Sequence, residues 1–141
     1  MIRADEMKRK QFKLRGEWVE LLFMAEAAKR GLRVIKPYGD SSRYDLVIEN
    51  GGRFLRVQVK STCHRNSRAY VCNLVRFGQK RYTKDDIDFF ALYVIPADTW
   101  YIIPFKAASH SKGSISLSPH NSLSKHACFH RAWHLVGGAS V

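Results

Sequence analysis

The stretch Tyr44-Asp45-Leu46-Val47-Ile48-Glu49-Asn50-Gly51-Gly52-Arg53-Phe54-Leu55-Arg56-Val57-Gln58-Val59-Lys60 decides how this chain folds. Leu46 and Ile48 alternate with Asp45, Val47 and Glu49, and Leu55, Val57 and Val59 alternate with Arg56, Gln58 and Lys60. Alternation at period two marks a strand whose two faces meet different surroundings. Between the runs lies Asn50-Gly51-Gly52, and glycine supplies the positive φ that a tight two-residue loop needs at both central positions. With Gly51-Gly52 as that loop, Asn50 faces Arg53, and counting outward sets Asp45 opposite Gln58. Opposed residues bring their Cβ atoms to about 4.5–5.5 Å. An acid, an amide and, two residues along, a lysine then project from one patch. Leu46, Ile48, Leu55, Val57 and Val59 turn the other way, to a core.

Upstream, residues 5–30 carry helical spacing. Leu14, Trp18, Leu21, Leu22, Ala25 and Ala28 share one stripe at 3.6 residues per turn, and this is the expected buried face. Val19, Phe23 and Met24 lie off it, which leaves room for a second covered face, supplied by another subunit. Lys29-Arg30 and then Gly31 form a stop: cations near the negative end of the helix dipole, followed by a residue that tolerates αL. Residues 32–35 read as a short strand, ended by Pro37 and the polar loop 39–43. Downstream, strands are expected at 69–75, 89–95 and 100–105, with Thr83 capping a short turn and a further turn at 96–99. Residues 111–124 are rich in Ser and Gly with one alternating pair, Ile115 and Leu117. Residues 125–136 are expected to form a helix with Phe129, Ala132, Trp133 and Val136 on one side. The order predicts an α/β or α+β fold, a sheet with a helix packed on it. Residues 1–141 are expected to form one domain, with a core over about 5–106 and a C-terminal extension over about 107–141.

Lys and Arg number 24 against 12 Asp and Glu, a formal net charge of +12. Such a surplus destabilises a small compact body by self-repulsion, which points to a polyanionic partner. Nucleic acid fits, since each phosphate neutralised releases counterions. An anionic membrane surface would call for a strongly basic amphipathic helix, and none is evident. A hydrophobic fraction of 45% argues for a globular chain. No apolar run approaches bilayer-spanning length, and residues 1–13 lack the apolar segment of a secretion signal. Cys63, Cys72 and Cys128 form no close pair, so no disulfide scaffold is expected. The expected setting is reducing and cytoplasmic.

Phosphodiester hydrolysis needs a patch like the one on the hairpin. The backbone repels hydroxide, so a catalyst must neutralise phosphate charge and supply an oriented water. Mg²⁺, with Mn²⁺ as a substitute, does both and prefers hard oxygen ligands. Asp45 offers a carboxylate, Gln58 a side-chain carbonyl and Val59 a main-chain carbonyl, while Lys60 can hold the attacking water or offset developing charge. The same alternation also fits an ordinary half-exposed hairpin.

Five pieces in order sharpen the choice: Gly16-x-x-x-Glu20, an apolar strand from Val34 to Pro37, the polar loop from Gly39 to Arg43, Tyr44-Asp45-Leu46, and Val57-Gln58-Val59-Lys60. The sequence resembles the PD-(D/E)XK nuclease superfamily, most closely the compact branch of group I intron-encoded homing endonucleases, in a Gln-x-Lys form. Segments 86–93 and 100–105 extend the likeness over roughly the first 105 residues. The resemblance implies a restriction-endonuclease-like core, a mixed β-sheet flanked by helices, with Mg²⁺-dependent cleavage of double-stranded DNA. It also implies homodimers or homotetramers that cut both strands. It assigns metal binding to Asp45 and Gln58, the catalytic lysine to Lys60 and a supporting acid to Glu20. Periodicity alone would choose Glu17 for that acid; the Gly16 spacing chooses Glu20. Most members carry Glu or Asp at the place of Gln58, so one negative charge is missing here and weaker metal binding is expected.

Archaeal-type Holliday-junction resolvases share the helix acid and the hairpin, so a resolvase-like nuclease is one alternative. A non-catalytic DNA-binding module derived from a nuclease is another, kept open by Gln58. For contacts with the DNA backbone, Lys8, Arg9 and Lys10 form one basic group, and Arg65, Arg68, Arg76, Lys80 and Arg81 form a second, interleaved with Tyr70, Phe77 and Tyr82. His126, His130 and His134 recur every four residues around Cys128. Without a paired cysteine or a zincin glutamate they read as a solvated or phosphate-facing row rather than a zinc site.

Overall fold

The computed structural model describes residues 3–139, apart from the side chain of Phe77. At its centre, β2 (Leu46–Asn50) and β3 (Arg53–Thr62) form the expected hairpin, with Asn50 paired to Arg53 and Leu46 to Val57. Gly51 and Gly52 hold φ of 56° and 81°, both left-handed, as the tight loop requires. β1 (Arg33–Ile35) adds antiparallel to β2. On the other side β3 pairs in parallel with β5 (Phe89–Val94), which turns back antiparallel into β6 (Thr99–Pro104). The five-stranded sheet therefore runs β1-β2-β3-β5-β6 and is mixed. A parallel neighbour demands a long connection. Residues 63–88 supply it, and they carry β4 (Tyr70–Asn73), which pairs with β7 (Ser114–Leu117) in a second, two-stranded sheet.

Both faces of the large sheet are covered, which explains the unbroken apolar run of β5. On one face Leu55, Val57, Val59, Ala91 and Tyr93 pack under α1 (Ala4–Lys29). There Phe23 stacks on Trp133 with centroids 5.5 Å apart and meets Trp100 edge-on at 5.5 Å. On the other face Phe90, Leu92, Val94, Tyr101 and Ile103 pack against Cys72, Leu74, Ile115 and Leu117 of the small sheet. A short helix α2 (Phe105–Ala108) follows β6.

Two expectations fail. The buried residues of α1 are Val19, Phe23 and Ala27, while Leu14 and Leu21 stay 62% and 61% exposed and Trp18 40%. The helix carries two apolar rows, and periodicity does not say which one meets the sheet; the aromatic cluster around Phe23 decides it. The second failure is the helix expected over 125–136. That segment instead forms two 3₁₀ turns, Ala127–Phe129 and Trp133–Val136, separated by a β-bridge from His130 to Tyr101 and by Arg131 at φ 55°. Trp133 and Val136 are drawn into the core under α1, and β-type pairing at His130 wins over helix continuation. The end of the segment docks on the hairpin loop. Gly137 has φ 87°, a left-handed conformation that favours glycine, and it packs against the Asn50 side chain, which would have to swing aside for a Cβ.

With that helix gone, the histidine row does not exist. His126 is buried with Nδ1 3.3 Å from the Ser116 carbonyl, and His130 stacks on Tyr101 with Nε2 2.7 Å from Thr99 Oγ1. His134 is exposed.

Candidate active site

β2 begins at Leu46, so β3 runs on past the end of its partner. Asp45 occupies the vacated place. Its N–H donates to the Val57 carbonyl at 3.0 Å, and its Oδ2 accepts the Val59 N–H at 2.9 Å. A strand residue aims its N–H and C=O to the same side, so the Val59 carbonyl is directed toward Asp45 as well. Continuing the hairpin register places Gln58 across from Asp45, and Gln58 is only 8% exposed.

Glu20 approaches from α1. Because the Val19–Phe23–Ala27 row faces the sheet, the next residue on the helix turns to the sheet's edge. Glu20 and Asp45 both line a cleft of about 380 Å³ between α1, the loop after β1 and the start of the hairpin, with Gly16, Glu17, Lys36 and Tyr44 on its walls. Burial first, and then the charge of Asp45, raise the Glu20 carboxyl above its ordinary pKa. Burial likewise raises Asp45, opposed by the Val59 N–H and by Lys60 and Lys36. Two desolvated carboxyls that repel each other form a site short of positive charge. A divalent cation would relieve both effects, and the available donors (two carboxylates, an amide oxygen, a main-chain carbonyl) are the hard oxygens such an ion takes. The residues fit the ion.

Lys60 is held from the small-sheet side. Its Nζ donates to the Val75 carbonyl at 3.0 Å and lies 5.5 Å from the ring centre of Tyr82. Burial lowers its pKa, while the charge of Asp45 works the other way. Tyr82 is pushed up to about 12, by burial and then by Asp45. Val75 also bridges to Arg81. The loop that carries Arg76, Lys80 and Arg81 is thereby tied to β3.

Other polar residues of the hairpin act elsewhere. Arg56 shared a face with Gln58 and Lys60 in the alternation, but its guanidinium grips both oxygens of Asp88 at 3.1 Å and the carbonyls of Lys84 and Asp85. It clamps the β3–β5 connection. Arg43 pairs with buried Asp86 at 2.8 Å, pinning the polar loop to that same connection.

Of the basic residues expected at DNA, Lys8, Arg9 and Lys10 are exposed on the first turns of α1. Arg65, Arg68, Lys80 and Arg81 are exposed near the small sheet, and Arg76 is half-buried. Arg65 sits 5.4 Å over the ring of Tyr70, itself only 8% exposed. Tyr70 is thus turned inward, Tyr82 is half-buried with its ring beside Lys60 Nζ, and the Phe77 side chain lies outside the described residues. Lys36 and the inward role of Tyr82 went unread in the sequence. Lys36 stands directly before Pro37 at the end of the motif strand, a signal that could have been used.

The family model of PD-(D/E)XK endonucleases matches residues 10–136. Among solved structures, the bacterial homing endonuclease I-Ssp6803I is similar, with a TM-score of 0.76 and 29% identity over 88% of this chain and 91% of that one. Hjc, a Holliday junction resolvase from the archaeal hyperthermophile Archaeoglobus fulgidus, shares the fold, with a TM-score of 0.59 and 17% identity over 90% of this chain and 99% of that one. A search of curated proteins returns no match. With the match running from the helix of Glu20 through the hairpin to the last buried turn, this chain is an endonuclease and belongs to the PD-(D/E)XK family.

Proposed function

We propose that the chain hydrolyses phosphodiesters of double-stranded DNA with Mg²⁺, or Mn²⁺ in its place, in the manner of a homing endonuclease. The observation that carries this is the pairing of Asp45 with Glu20 in one cleft, each carboxyl raised by burial, with the charge of Lys60 acting on Asp45. Asp45, the Gln58 side-chain oxygen and the Val59 carbonyl would hold the ion, with Glu20 in support. When bound, the ion screens phosphate charge and activates a water. Lys60 has three N–H donors and spends one on Val75. The others are free to orient the water and to offset charge developing on the phosphoryl oxygens. The net charge of +12 and the exposed groups at Lys8–Lys10 and Arg65–Arg81 suit a DNA backbone.

Similarity to a homing endonuclease supports that substrate class, and the chain is read as acting as a homodimer or homotetramer. Residues 1–141 work as one domain in this reading, since Trp133 and Val136 pack into the core under α1. Among the described residues no helix is long and apolar enough to cross a membrane, and Cys63, Cys72 and Cys128 are free thiols, which suits a reducing cytoplasm. The test is nicking of supercoiled plasmid by the purified chain with Mg²⁺ and with EDTA. Cleavage that EDTA abolishes is expected, and cleavage indifferent to EDTA would refute the metal. Running a four-way junction beside linear duplex separates this reading from a resolvase, which would prefer the branched substrate.

A further inference from the structure

The small sheet uses only one of its faces for packing. Tyr70, Cys72, Ile115 and Leu117 point inward and are buried. On the outer face the register sets Val71 across from Ser116 and Asn73 across from Ser114. Val71 is half-buried and the other three are exposed. Alternation at period two thus makes β4 and β7 a two-stranded ribbon with a polar outer side. Beside it lies a shallow trough of about 600 Å³, walled by His64, Asn73, Gln79, Arg81, Lys112 and Ser114.

Charge, position and side-chain chemistry together say what this face meets. No Asp or Glu occurs from Asn50 to Lys84, nor anywhere after Asp98. The segments 63–83 and 109–121, which carry the ribbon, therefore bring Arg65, Arg68, Arg76, Lys80, Arg81 and Lys112 with no acid to offset them. Such a surface suits a polyanion. The ribbon is also tied to the active site from both ends. Thr62 Oγ1 donates to the Val71 carbonyl at 2.6 Å, and Lys60 Nζ donates to the carbonyl of Val75, which lines the trough. A duplex whose phosphate reaches Lys60 passes over this face. Of the four outward residues only Val71 is apolar, which gives a protein partner little to anchor on. None is aromatic, so unpaired bases have nothing to stack on. Amides, hydroxyls and cations are instead the groups that read base edges, and a major groove about 12 Å wide admits a two-stranded ribbon.

We propose that the outer face of the β4–β7 ribbon lies in the major groove beside the cut and reads its bases, with Asn73 and Gln79 as the readers. This rests on the reading of the chain as an endonuclease of duplex DNA, and it adds where the base preference is set. Asn73 Oδ1 accepts the Val75 N–H at 2.8 Å, which leaves Nδ2 to donate. Asn73 therefore selects a base that presents an acceptor, as guanine does at O6 and N7. Gln79 is exposed, with no side-chain hydrogen bond among the described residues, so both ends of its amide are free for adenine N6 and N7. Ser114 and Ser116 are short and let the floor of the groove approach.

The test selects bound duplexes from a randomised library in EDTA, so it reads recognition and not cleavage. The full wild-type chain is expected to show a base preference. Asn73→Asp keeps the acceptor for the Val75 N–H but turns the free donor into an acceptor, and should move the preference at one base pair from guanine toward cytosine. Gln79→Ala should lose roughly 5- to 150-fold of discrimination at a different pair. Its log K against log salt should keep the wild-type slope, since no charge is lost. Duplexes carrying 7-deazaguanine and 7-deazaadenine lack the major-groove N7 but still pair, and wild type should bind them more weakly. Variants that keep the wild-type preference, or 7-deaza duplexes bound as well as ordinary ones, would overturn the proposal. So would a wild type with no base preference, as a ribbon covered by another protein would give. Binding to no DNA would overturn it together with the nuclease reading, whereas selective binding without nicking in Mg²⁺ would tell against the nuclease reading alone.

Discussion

The Asp45 carboxylate accepts the main-chain N–H of Val59 at 2.9 Å, and so the acid best placed for a metal also finishes the hairpin that carries Gln58 and Lys60. Its two roles can be separated. Asp45→Asn keeps an acceptor for Val59 but loses the charge, so cleavage should vanish while the fold and DNA affinity stay. Lys60→Ala should likewise end cleavage without ending binding. Purified nicking assays beside DNA-binding titrations check both, and activity within a few-fold of wild type in either variant would undo the assignment.

The raised carboxyls at this site have a consequence for stability. Glu20 and Asp45 hold protons more tightly folded than unfolded, so the folded state binds more protons between the ordinary and the raised pKa. Their contribution is intact below the ordinary values of 4.5 and 3.8 and is lost as pH rises through the folded ones. Glu20→Gln with Asp45→Asn should therefore raise Tm at neutral pH in EDTA, with the gain shrinking toward zero in acid. Mg²⁺ should raise the Tm of wild type and leave that of the variant unmoved. Thermal melts across pH, with EDTA and with Mg²⁺, read this out; a gain that grows in acid would contradict it.

In the proposed site Gln58 would supply a neutral oxygen rather than a carboxylate, so attraction for a divalent ion would be weaker. Gln58→Glu keeps the length and adds charge, and should lower the Mg²⁺ concentration giving half-maximal cleavage. Gln58→Leu should raise that concentration or end activity. Three coincident metal titrations on one substrate would show that Gln58 does not touch the ion.

Tyr82 holds Lys60 by the face of its ring, 5.5 Å from Nζ. Such contacts contribute about 0.5–1 kcal/mol when exposed and about 2 when desolvated. Tyr82→Phe should keep near-normal kcat, while Tyr82→Leu should lower kcat by roughly 3- to 30-fold on that scale with little change in the Mg²⁺ requirement. Equal losses in the two variants would point to the hydroxyl instead.

Binding through many phosphates predicts a log K that falls with log salt by about 0.9 per contact. Replacing Arg65 and Arg68 with Ala should flatten that slope by roughly one to two units. Fluorescence titrations over a salt series measure it, and an unchanged slope would remove these two residues from the interface.

Local physics settled the hairpin from sequence alone. Gly51 and Gly52 permit one loop geometry, alternation fixes which residues share a face, and both act over a few residues, so Asn50 meets Arg53 as counted. Gly31 ends α1 for the same local reason, at φ 81°. What tertiary structure alone decided are the choices between equally good local options. Either apolar row of α1 could have met the sheet. Packing of Phe23 with Trp100 and Trp133, about 77 and 110 residues away, selected the row that turns Glu20 to the cleft and leaves Leu14, Trp18 and Leu21 outside. The segment 125–136 had a helical pattern, but Tyr101 offered His130 a strand-like partner and the helix gave way. Lys60 was legible as a catalytic candidate, while its tether to Val75 and Tyr82 was not, because those partners arrive through the β3–β5 crossover. Periodicity and backbone dihedrals are written in neighbouring residues; the free energy of burying one face rather than another depends on surfaces that only the folded chain brings together.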